Sequence, residues 1–419
     1  MTLISRTKDK IFYGWIIVIA SLIVIAVLIG IRFSFGVFFK SIQGELDLTR
    51  AVTSSVFSVH MLLAAAFAVI GGWAFDRYGP RSIVLLMGLI TGASLLLTSQ
   101  ANSLWQLYLS YSLLLAIGTG GVIPVLTGTV SKWFDKRRGL AIGLTTSGPG
   151  FGTLVMAPLT ASLITNFGWR MSYIVLGLVA PLIVVPISML LRRDPKEIDL
   201  LPDGISSSSK TADSSERTAM AQPMGLSLRQ ALGTRNLWLI WSIFALQTFC
   251  LTLILTHVVP YATDMGISIT EASTILSINS GSCFLSRILV GRMSDTVGRK
   301  VPGIICAIIG AGGLLWLTGA QDLWMFYVFA IAFGLAWGAI GTIYMTLVSE
   351  LFGVRSLGVI LGILEVGVSV GSAIGPAIGG FIFDLTGSYI MAFSIAAGAM
   401  LTIALLATLI RREKDTRVS

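Results

Sequence analysis

The sequence predicts an all-α integral membrane protein with twelve transmembrane helices in two six-helix bundles. Three observations support this prediction. Hydrophobic residues make up 55% of the 419 residues and charged residues only 12%, which is too apolar for a soluble chain of this length. Twelve apolar runs each approach the ~20 residues that a helix needs to cross a bilayer. The two halves of the chain also repeat each other at a fixed offset.

The apolar runs divide the chain into predicted spans one to twelve. Span one follows a basic segment, but it is too long for the core of a signal peptide and has no cleavage site of small residues. We therefore expect it to remain as the first span. In order, the predicted spans are 12–39, 51–75, 82–100, 104–131, 140–166, 171–191, 237–262, 272–294, 302–319, 323–349, 357–383 and 388–410.

Basic residues predict which side of the membrane each loop occupies. The chain has 29 Lys and Arg residues, and most of them fall at the two ends or in loops on the same side of the spans. Lys40, Arg50 and Arg170 remain for the opposite side. The positive-inside rule then predicts a multi-pass protein of the cytoplasmic (inner or plasma) membrane with both termini cytoplasmic. The net charge of +9 reflects this topology and does not indicate nucleic-acid binding.

Similar segments 219 residues apart indicate a duplicated unit. The segment GGWAFDRYGPR at 71–81 recurs as VGRMSDTVGRK at 290–300, and Gly168 matches Gly387 at the same offset. A repeat over so much of the chain predicts two copies of a six-span unit joined by a polar linker. In order, the expected units are an N-terminal six-helix bundle (1–191), a cytoplasmic linker (192–235) and a C-terminal six-helix bundle (236–419).

The repeated loop motif resembles the signature of the major facilitator superfamily. The resemblance covers nearly the whole chain and implies the major facilitator fold, transport by alternating access, no cofactor and a monomeric functional unit in the lipid bilayer. It also implies that the loop motifs hold neighbouring helices together in one state of the cycle. The residues of this conformational motif are Gly72, Asp76, Arg77, Gly79 and Arg81, with Asp295, Gly298 and Arg299 in the second copy.

Three shorter segments resemble a narrower group, the monocarboxylate transporter family and its bacterial oxalate/formate antiporter relatives. They are Tyr13-Gly14-Trp15, the VFFK end of span one at 37–40 and KWFDKRRGLA at 132–141. This resemblance implies a secondary active transporter of a carboxylate anion.

One arginine lies deep within a predicted span. Arg287 is eight residues, or roughly 12 Å of helix rise, from the charged end of span eight at Asp295. Its helical face is small and polar, whereas the rest of the span is Ile, Leu, Val and Phe. Since a charge facing lipid costs roughly 3 kcal/mol or more, we expect Arg287 to face protein or water and to bind an anion. A buried structural pair with an acid is the alternative.

Glu365 is the acidic residue that lies deep in an apolar run, about 13 Å by helix rise from the cytoplasmic end of span eleven. Its depth is close to that of Arg287. Span eleven also carries glycines at four-residue spacing over 367–379, which predict close packing of another helix. Glu365 points away from this ridge, toward lipid or a cavity. We expect Glu365 either to exchange a proton or to form a structural pair with Arg287.

The resemblance also implies a role for Arg287. In monocarboxylate transporters, an arginine of span eight that is followed four residues later by glycine binds the substrate carboxylate, and Arg287 is followed by Gly291. Many relatives place an aspartate one turn before this arginine, where this chain has Cys283, so their proton-coupling arrangement is not carried over. The oxalate relatives hold a dianion with a lysine in span eleven, and 357–383 contains no lysine. A monoanion is therefore favoured, with Cys283 among the substrate-binding candidates.

Five further residues within spans are candidates for the site. Arg32 can either reach the outer interface or contribute a second cation to the cavity. His60 in span two and His257 in span seven are candidates for proton relay, or else satisfied interhelical donors. Phe333 and Trp337, one turn apart in span ten, can form an apolar wall of the site, with core packing or lipid contact as the alternative.

Charge counting suggests a mechanism. If Arg287 and Glu365 neutralise each other in the empty site, an incoming carboxylate leaves an excess negative charge in a low-dielectric cavity unless Glu365 takes up a proton. The sequence therefore predicts proton-coupled symport of a small monocarboxylate such as lactate or pyruvate, with organic-anion exchange of the oxalate/formate type as the alternative.

Other classes of function are less favoured. The segment GSAIGPAIGG at 371–380 resembles a motif of drug/proton antiporters, but it lies in span eleven rather than span five, so drug efflux ranks below anion transport. The sequence contains no nucleotide-binding loop, metal-ligand spacing or nucleophile constellation that would indicate an enzyme.

Overall fold

The structure is a computed structural model, and it describes residues 12–135, 137–198, 200, 201, 203, 228–297, 300–353 and 357–410. These residues are almost entirely helical. Two short helices, Pro195–Ile198 and Leu228–Leu232, lie within the predicted linker. Spans one to twelve are Tyr13–Glu45, 50–78, 80–98, Leu104–Trp133, 138–167, 169–188, Arg235–Asp264, Ile269–Val297, Lys300–Leu317, Leu323–Phe352, Leu357–Thr386 and Ile390–Leu409.

Glycines make the turns between several consecutive spans. Gly79 separates spans two and three, and its φ of 78° is the left-handed conformation that glycine adopts without steric strain. Gly168 separates spans five and six with φ 77°, and Gly387 precedes span twelve with φ 69°. Gly168 and Gly387 are the pair that matches at the repeat offset, so the two halves share this turn in conformation as well as in sequence.

Nine helices of the described chain are long and apolar enough to cross a membrane. Two of these helices, Arg50–Thr98 and Arg138–Ser188, each contain two of the predicted spans. Span eight is not among the nine because serines, an asparagine and Arg287 interrupt its apolar residues. The polar span is therefore the one that carries the candidate anion-binding arginine.

Two hydrophobic clusters form the core of the described chain. One is built mainly from residues of spans one to six, and the other mainly from residues of spans seven to twelve. The two clusters meet where span two packs against span eleven, span five against span eight, and span one against span seven. Sites between the clusters therefore take residues from both halves of the repeat. The predicted boundaries at 191 and 235 stay a prediction, since residues 204–227 of the linker lie outside the described chain.

Two of the segments that resemble the monocarboxylate transporters pack against each other at the linker end of the first cluster. The ring of Tyr13 lies 5.5 Å from that of Trp133, and the ring of Trp15 lies 5.0 Å from that of Phe134. The buried Trp133 indole N–H donates a hydrogen bond to the carbonyl of Arg192 at 3.1 Å. This aromatic cluster ties the start of span one to the segment that leads into the linker.

The glycine ridge of span eleven packs on span seven, as its spacing predicts. A Cβ atom at Gly371 would lie 1.9 Å from the carbonyl oxygen of Ala245, and one at Gly375 would lie 2.4 Å from that of Phe249. The glycines thus allow backbone contact between the two helices. This packing fixes the rotation of span eleven and directs Glu365 away from span seven.

We expect Gly371→Ala to destabilise the protein, because its Cβ atom has no room without a shift of span seven. Overpacking of this kind costs about 1–3 kcal/mol, measured as a lower melting temperature of the purified protein in detergent. Gly362→Ala is the matched control on the same helix, since a Cβ atom there meets nothing within 4 Å. Equal melting temperatures for the two variants would contradict the packing of spans seven and eleven.

Candidate substrate site between the bundles

A cavity lies between the two hydrophobic clusters. Its walls come from spans one and five on one side and from spans seven, eight and ten on the other. Arg287 is one of the lining residues, as are Cys283 and Trp337. The complete set is Phe33, Ser147, Pro149, Gly150, Thr153, Leu251, Leu255, Asn279, Ser280, Cys283, Phe284, Arg287 and Trp337.

The guanidinium of Arg287 contacts both halves of the protein. Its Nη1 donates a hydrogen bond to the carbonyl of Thr146 in span five at 3.3 Å, and its Cζ lies 5.4 Å from the centre of the Trp337 ring. The side chain also interacts electrostatically with the thiol of Cys283, one turn earlier on span eight. Among the described residues these contacts use only part of the five N–H donors of arginine, so donors remain for an anion in the cavity.

Close packing of span ten on span eight places Trp337 beside Arg287. A Cβ atom at Gly338 would lie 2.4 Å from the carbonyl oxygen of Cys283, and one at Gly334 would lie 2.3 Å from that of Asn279. Glycine at these two positions lets the helices touch backbone to backbone. The indole of Trp337 therefore reaches the face of the guanidinium, where a cation–π interaction stabilises the charge.

Spans five and eight run side by side across the cavity with a clear register. The carbonyl of Thr146 in span five contacts Arg287 of span eight. Later in span five, the carbonyl of Leu154 accepts a hydrogen bond at 2.8 Å from the hydroxyl of Ser277, which precedes Arg287 in span eight. The two helices are thus antiparallel, and Arg287 lies nearer to the linker end than Ser277 does. Arg287 therefore occupies one end of the cavity rather than its middle.

The structure brings Arg32 and Glu365 together across the two clusters. They interact electrostatically, although Arg32 belongs to span one and Glu365 to span eleven. Glu365 has an accessible side chain, and its interaction with Arg32 indicates that it is oriented toward the other half of the protein. The contacts of Arg287 described above do not include Glu365. Arg32 is the cation that interacts electrostatically with this acid, without a direct ion pair between the two among the described residues.

The Arg32 side chain turns into the protein instead of reaching the outer interface. Its Nη2 lies 2.6 Å from the sulfur of Met61, and its buried Nε has no hydrogen-bond partner among the described residues. Two irregularities in helices adjoin it: span one is interrupted at Ser34, and span four contains a π-helical segment at Tyr108–Leu114. Interruptions of this type are frequent at functional sites.

His60 lies near Arg32, in the first cluster. The histidine ring is fully buried, its Nδ1 is 3.3 Å from the carbonyl oxygen of Tyr111, and it interacts electrostatically with Arg32. The Tyr111 hydroxyl in turn donates to the carbonyl of Arg32 at 3.2 Å. Arg32, Glu365 and His60 are therefore neighbours in one polar group.

His257 and Phe333 lie away from the cavity. The His257 Nε2–H donates to the carbonyl of Pro376 at 2.8 Å, and its Nδ1 accepts from the Tyr389 hydroxyl at 3.1 Å, so both ring nitrogens are occupied. Phe333 is fully buried and stacks on Phe329 with ring centres 5.5 Å apart. These positions match the alternatives considered for the two residues, an interhelical donor and a core aromatic.

The first copy of the conformational motif lies at the turn between spans two and three, at the linker end. Arg77 and Arg81 are exposed, and a Cβ atom at Gly72 would meet nothing within 4 Å. The Asp76 carbonyl accepts a hydrogen bond from Arg193, which connects this turn to the start of the linker. In the second copy, Gly298 and Arg299 lie outside the described residues, as does the side chain of Asp295.

A network of charges that the sequence did not reveal joins the two clusters at the end opposite the linker, here called the closed end. Asp264 of span seven accepts hydrogen bonds from Arg50 at 2.7 and 3.0 Å and forms an ion pair with Lys40 at 2.5 Å. Asp384 of span eleven accepts from the backbone N–H groups of Arg50 and Ala51 at 2.9 and 2.8 Å. It thereby caps the first turn of span two from the other half of the protein.

The Tyr389 hydroxyl extends this network into the interior. It accepts from Nη1 of Arg50 at 2.8 Å and donates to His257, which donates to Pro376. The Arg50 guanidinium also lies 3.6 Å from the centre of the Phe383 ring. The sequence does show that each of these charges lies at the end of a span. Charges at span ends usually face solvent, so this position alone did not indicate a contact between the two halves.

A central site between two helical clusters, with one end of the interface tied by ion pairs, defines a membrane transporter. Comparison with known families agrees: a family profile described as Major Facilitator Superfamily matches residues 20–360 and 257–419. The chain belongs to the major facilitator superfamily. The predicted twelve-helix fold and the predicted family are thereby confirmed.

Curated proteins that are similar to this chain include monocarboxylate transporters. Monocarboxylate transporter 13 of Rattus norvegicus is 29% identical over 406 residues, covering 93% of this chain and 86% of the relative. Monocarboxylate transporter 11 of Homo sapiens is 26% identical over 403 residues, covering 93% and 81%. The resemblance to the monocarboxylate family is therefore confirmed over nearly the whole chain.

A solved structure shows the same fold. A bacterial homologue of the human lysosomal transporter Spinster, in an inward-facing and unoccupied conformation, superposes with a TM-score of 0.68, covers 96% of both chains and is 16% identical. At this identity the likeness supports the fold alone.

We expect Asp264→Asn to weaken the closed end, because it removes the charge that binds Lys40 and Arg50. Loss of charge-assisted hydrogen bonds costs on the order of 2 kcal/mol, enough to shift an equilibrium more than tenfold. Spin labels at Gly44 and Ile390, which lie on the two sides of this end, should then show a longer-distance population by pulsed electron resonance. The labels are placed in a variant without the three native cysteines. The exposed Asp47→Asn is the control, and identical distance distributions for both variants would contradict a closing role for Asp264.

Proposed function

We propose that this protein is a secondary active transporter that moves a monocarboxylate together with a proton by alternating access. The observation that carries the proposal is Arg287, a guanidinium with available donors in a largely apolar cavity between the bundles. The curated relatives named monocarboxylate transporters support a carboxylate as the ligand. Lactate and pyruvate are the simplest members of this class, and the functional unit is one chain.

A carboxylate fits the chemistry of the Arg287 end of the cavity. Guanidinium groups bind carboxylates through paired N–H donors, which makes the interaction strong and directional. The indole N–H of Trp337, beside the guanidinium, is buried without a hydrogen-bond partner among the described residues, and buried donors of this kind usually have partners. Cys283 adds a weak thiol donor. We infer that the carboxylate lies against Arg287 with Trp337 and Cys283 as neighbours.

Proton coupling follows from the charges between the bundles. Arg32 and Glu365 balance each other, so Arg287 is left to balance the incoming anion. The pairing differs from the sequence-based expectation, in which Glu365 balanced Arg287. With Glu365 paired to Arg32, the bound anion is neutralised by Arg287, and a proton on Glu365 acts by releasing Arg32 from its electrostatic partner. We propose that proton transfer at Glu365 thereby sets the attraction between spans one and eleven. His60 is the adjacent proton-relay candidate.

Anion exchange is the second candidate function. Arg32 has an unpartnered buried Nε close to the interface between the bundles. A released Arg32 could hold an anion together with Arg287, and the site would then need no net proton movement. Counterflow in proteoliposomes separates the two functions, because exchange needs internal anion whereas symport needs only a pH gradient.

We further propose that the linker and both termini are cytoplasmic, so that the closed end faces outward in the cytoplasmic membrane. The distribution of Lys and Arg between the loops supports this orientation. In this orientation the described conformation is sealed on the outside.

We expect Arg287→Lys to lower uptake of labelled pyruvate into proteoliposomes at least tenfold. Lysine keeps the charge but loses the planar fork and the stacking on Trp337. Arg235→Lys, at an exposed arginine at the start of span seven, is the control and should transport as the parent does. Unchanged uptake by Arg287→Lys, in protein that melts like the parent, would remove the anchor of the proposed function.

We expect Glu365→Gln to uncouple transport from protons. The variant should lose pyruvate accumulation driven by an inward pH gradient but keep pyruvate–pyruvate counterflow, because the amide cannot exchange a proton. Asp322→Asn, at an exposed acid in the loop before span ten, should change neither. Full pH-driven accumulation by Glu365→Gln would rule out its role in coupling.

A further inference from the structure

His257 of span seven lies behind the charges of the closed end, where both halves of the protein enclose its ring. The ring is fully buried. A Cβ atom at Gly379 of span eleven would lie 2.5 Å from its Cδ2 atom, so the glycine gives the imidazole room between the two helices. From the first half, the ring of Phe39 in span one meets it edge to face, with ring centres 5.3 Å apart. The histidine therefore contacts the surface at which the two halves meet.

The hydrogen bonds of His257 fix its protonation state. Nε2 lies 2.8 Å from the carbonyl oxygen of Pro376, which can only accept, so Nε2 carries a hydrogen atom. Nδ1 lies 3.1 Å from the Tyr389 hydroxyl, and in the neutral ring it has a lone pair that accepts from this hydroxyl. Arg50 and Asp384 are the charged groups that interact electrostatically with the ring. A doubly protonated ring would place a second cation near Arg50, so the neutral ring is the form that fits the closed end.

The neutral His257 ring orients the hydroxyl of Tyr389. Because the hydrogen atom of this hydroxyl points to Nδ1, the lone pairs of its oxygen are available for another donor. Arg50 of span two supplies that donor, with Nη1 2.8 Å from the tyrosine oxygen. The same guanidinium binds both carboxylate oxygens of Asp264. Tyr389 thus helps to hold the guanidinium where it bridges the two halves.

The orientation of this hydroxyl matters because it is free to turn about its C–O bond. If it turned toward Arg50, its hydrogen atom would face the N–H groups of the guanidinium, and the oxygen could no longer accept from them. The hydrogen bond to Nδ1 of His257 excludes this orientation. The bonds from Arg50 to Tyr389 and from Tyr389 to His257 also run in the same direction, so each polarises and strengthens the next.

We propose that His257 is a positioning residue of the closed end. It orders the Tyr389 hydroxyl as an acceptor for Arg50 and thereby stabilises the conformation in which the two halves meet at that end. This role differs from proton relay and from a purely structural bond to Pro376. It rests on the network of the closed end and does not depend on which anion is transported.

The first test separates the two hydrogen bonds of His257. His257→Gln can keep a donor for Pro376 but has no acceptor at the position of Nδ1, whereas His257→Asn places its side-chain oxygen near Nδ1. Spin labels at the exposed positions Gly44 and Asp322, in a variant without the three native cysteines, report distances across the closed end by pulsed electron resonance.

We expect the ratio of open to closed populations to rise at least about tenfold in His257→Gln, as for the loss of a hydrogen bond to a charged group. His257→Asn should stay within about threefold of the parent, because Tyr389 keeps its acceptor. A larger effect of the asparagine than of the glutamine would assign the role to the Pro376 bond instead. That result, or equal ratios for both variants, would overturn the proposal.

The second test asks whether His257 acts through Tyr389. Tyr389→Phe removes the hydroxyl and keeps the ring, and it should also open the closed end at least about tenfold. In this background His257→Gln should add less than about twofold, because the hydroxyl that it orders is gone. Tyr261→Phe is the matched control. The Tyr261 ring lies 5.9 Å from that of Tyr389, but its hydroxyl donates to the carbonyl of Ala320 within the second half, at 3.4 Å.

Additive effects of His257→Gln and Tyr389→Phe would show that the histidine acts by another route and would overturn the proposal. Equal opening by Tyr261→Phe and Tyr389→Phe would also do so. These outcomes are separate from the proposed function. If the distances do not change while Arg287→Lys abolishes pyruvate uptake, carboxylate transport stands and the role of His257 falls. If the distances change as expected while Arg287→Lys transports as the parent does, the role of His257 stands and the anion site falls.

Discussion

A guanidinium within the membrane needs protein or water around it, because hydrocarbon offers no hydrogen-bond acceptors. Arg287 satisfies this requirement through the arrangement of three helices. Span five supplies the Thr146 carbonyl, span ten supplies the Trp337 ring, and span eight itself supplies Cys283. The glycines of span ten make the approach to span eight possible. The position of this single charge thus depends on packing within the second bundle and on contact with the first.

The site shows which predictions local sequence can support. Cys283 and Arg287 are one turn apart on span eight, so helical periodicity alone predicts that they share a face. Phe333 and Trp337 are also one turn apart, yet Trp337 lines the cavity and Phe333 is buried against Phe329. The spacing of two residues predicts that they lie on the same face of a helix. Which of them lines the cavity depends on where along that helix the neighbouring helices move apart. That depth is a property of the tertiary packing.

The partner of Glu365 illustrates the same limit for charges. The glycine ridge predicts that Glu365 points away from the helix that packs on span eleven, and the contacts with span seven agree. Depth along the span suggested Arg287 as its partner, whereas the electrostatic interaction of Glu365 in the structure is with Arg32. The sequence records how far each charge lies from a helix end and does not record which helices face each other between the bundles. For the same reason Lys40, Arg50, Asp264 and Asp384 could not be recognised as one network.

The contacts between the bundles connect the site with the conformational cycle. At the closed end, Asp264 and Asp384 of the second half bind groups of the first half, and these bonds must break before that end can open. Nearer the linker, two further interactions join the halves: Arg287 with the Thr146 carbonyl, and Arg32 with Glu365. Both involve groups that the proposed function assigns to anion binding and proton exchange. A carboxylate competes with Thr146 for the guanidinium, and a proton on Glu365 removes its attraction for Arg32. Ligand binding and the attraction between the bundles therefore depend on the same two side chains, which is the differential interaction that a transport cycle requires.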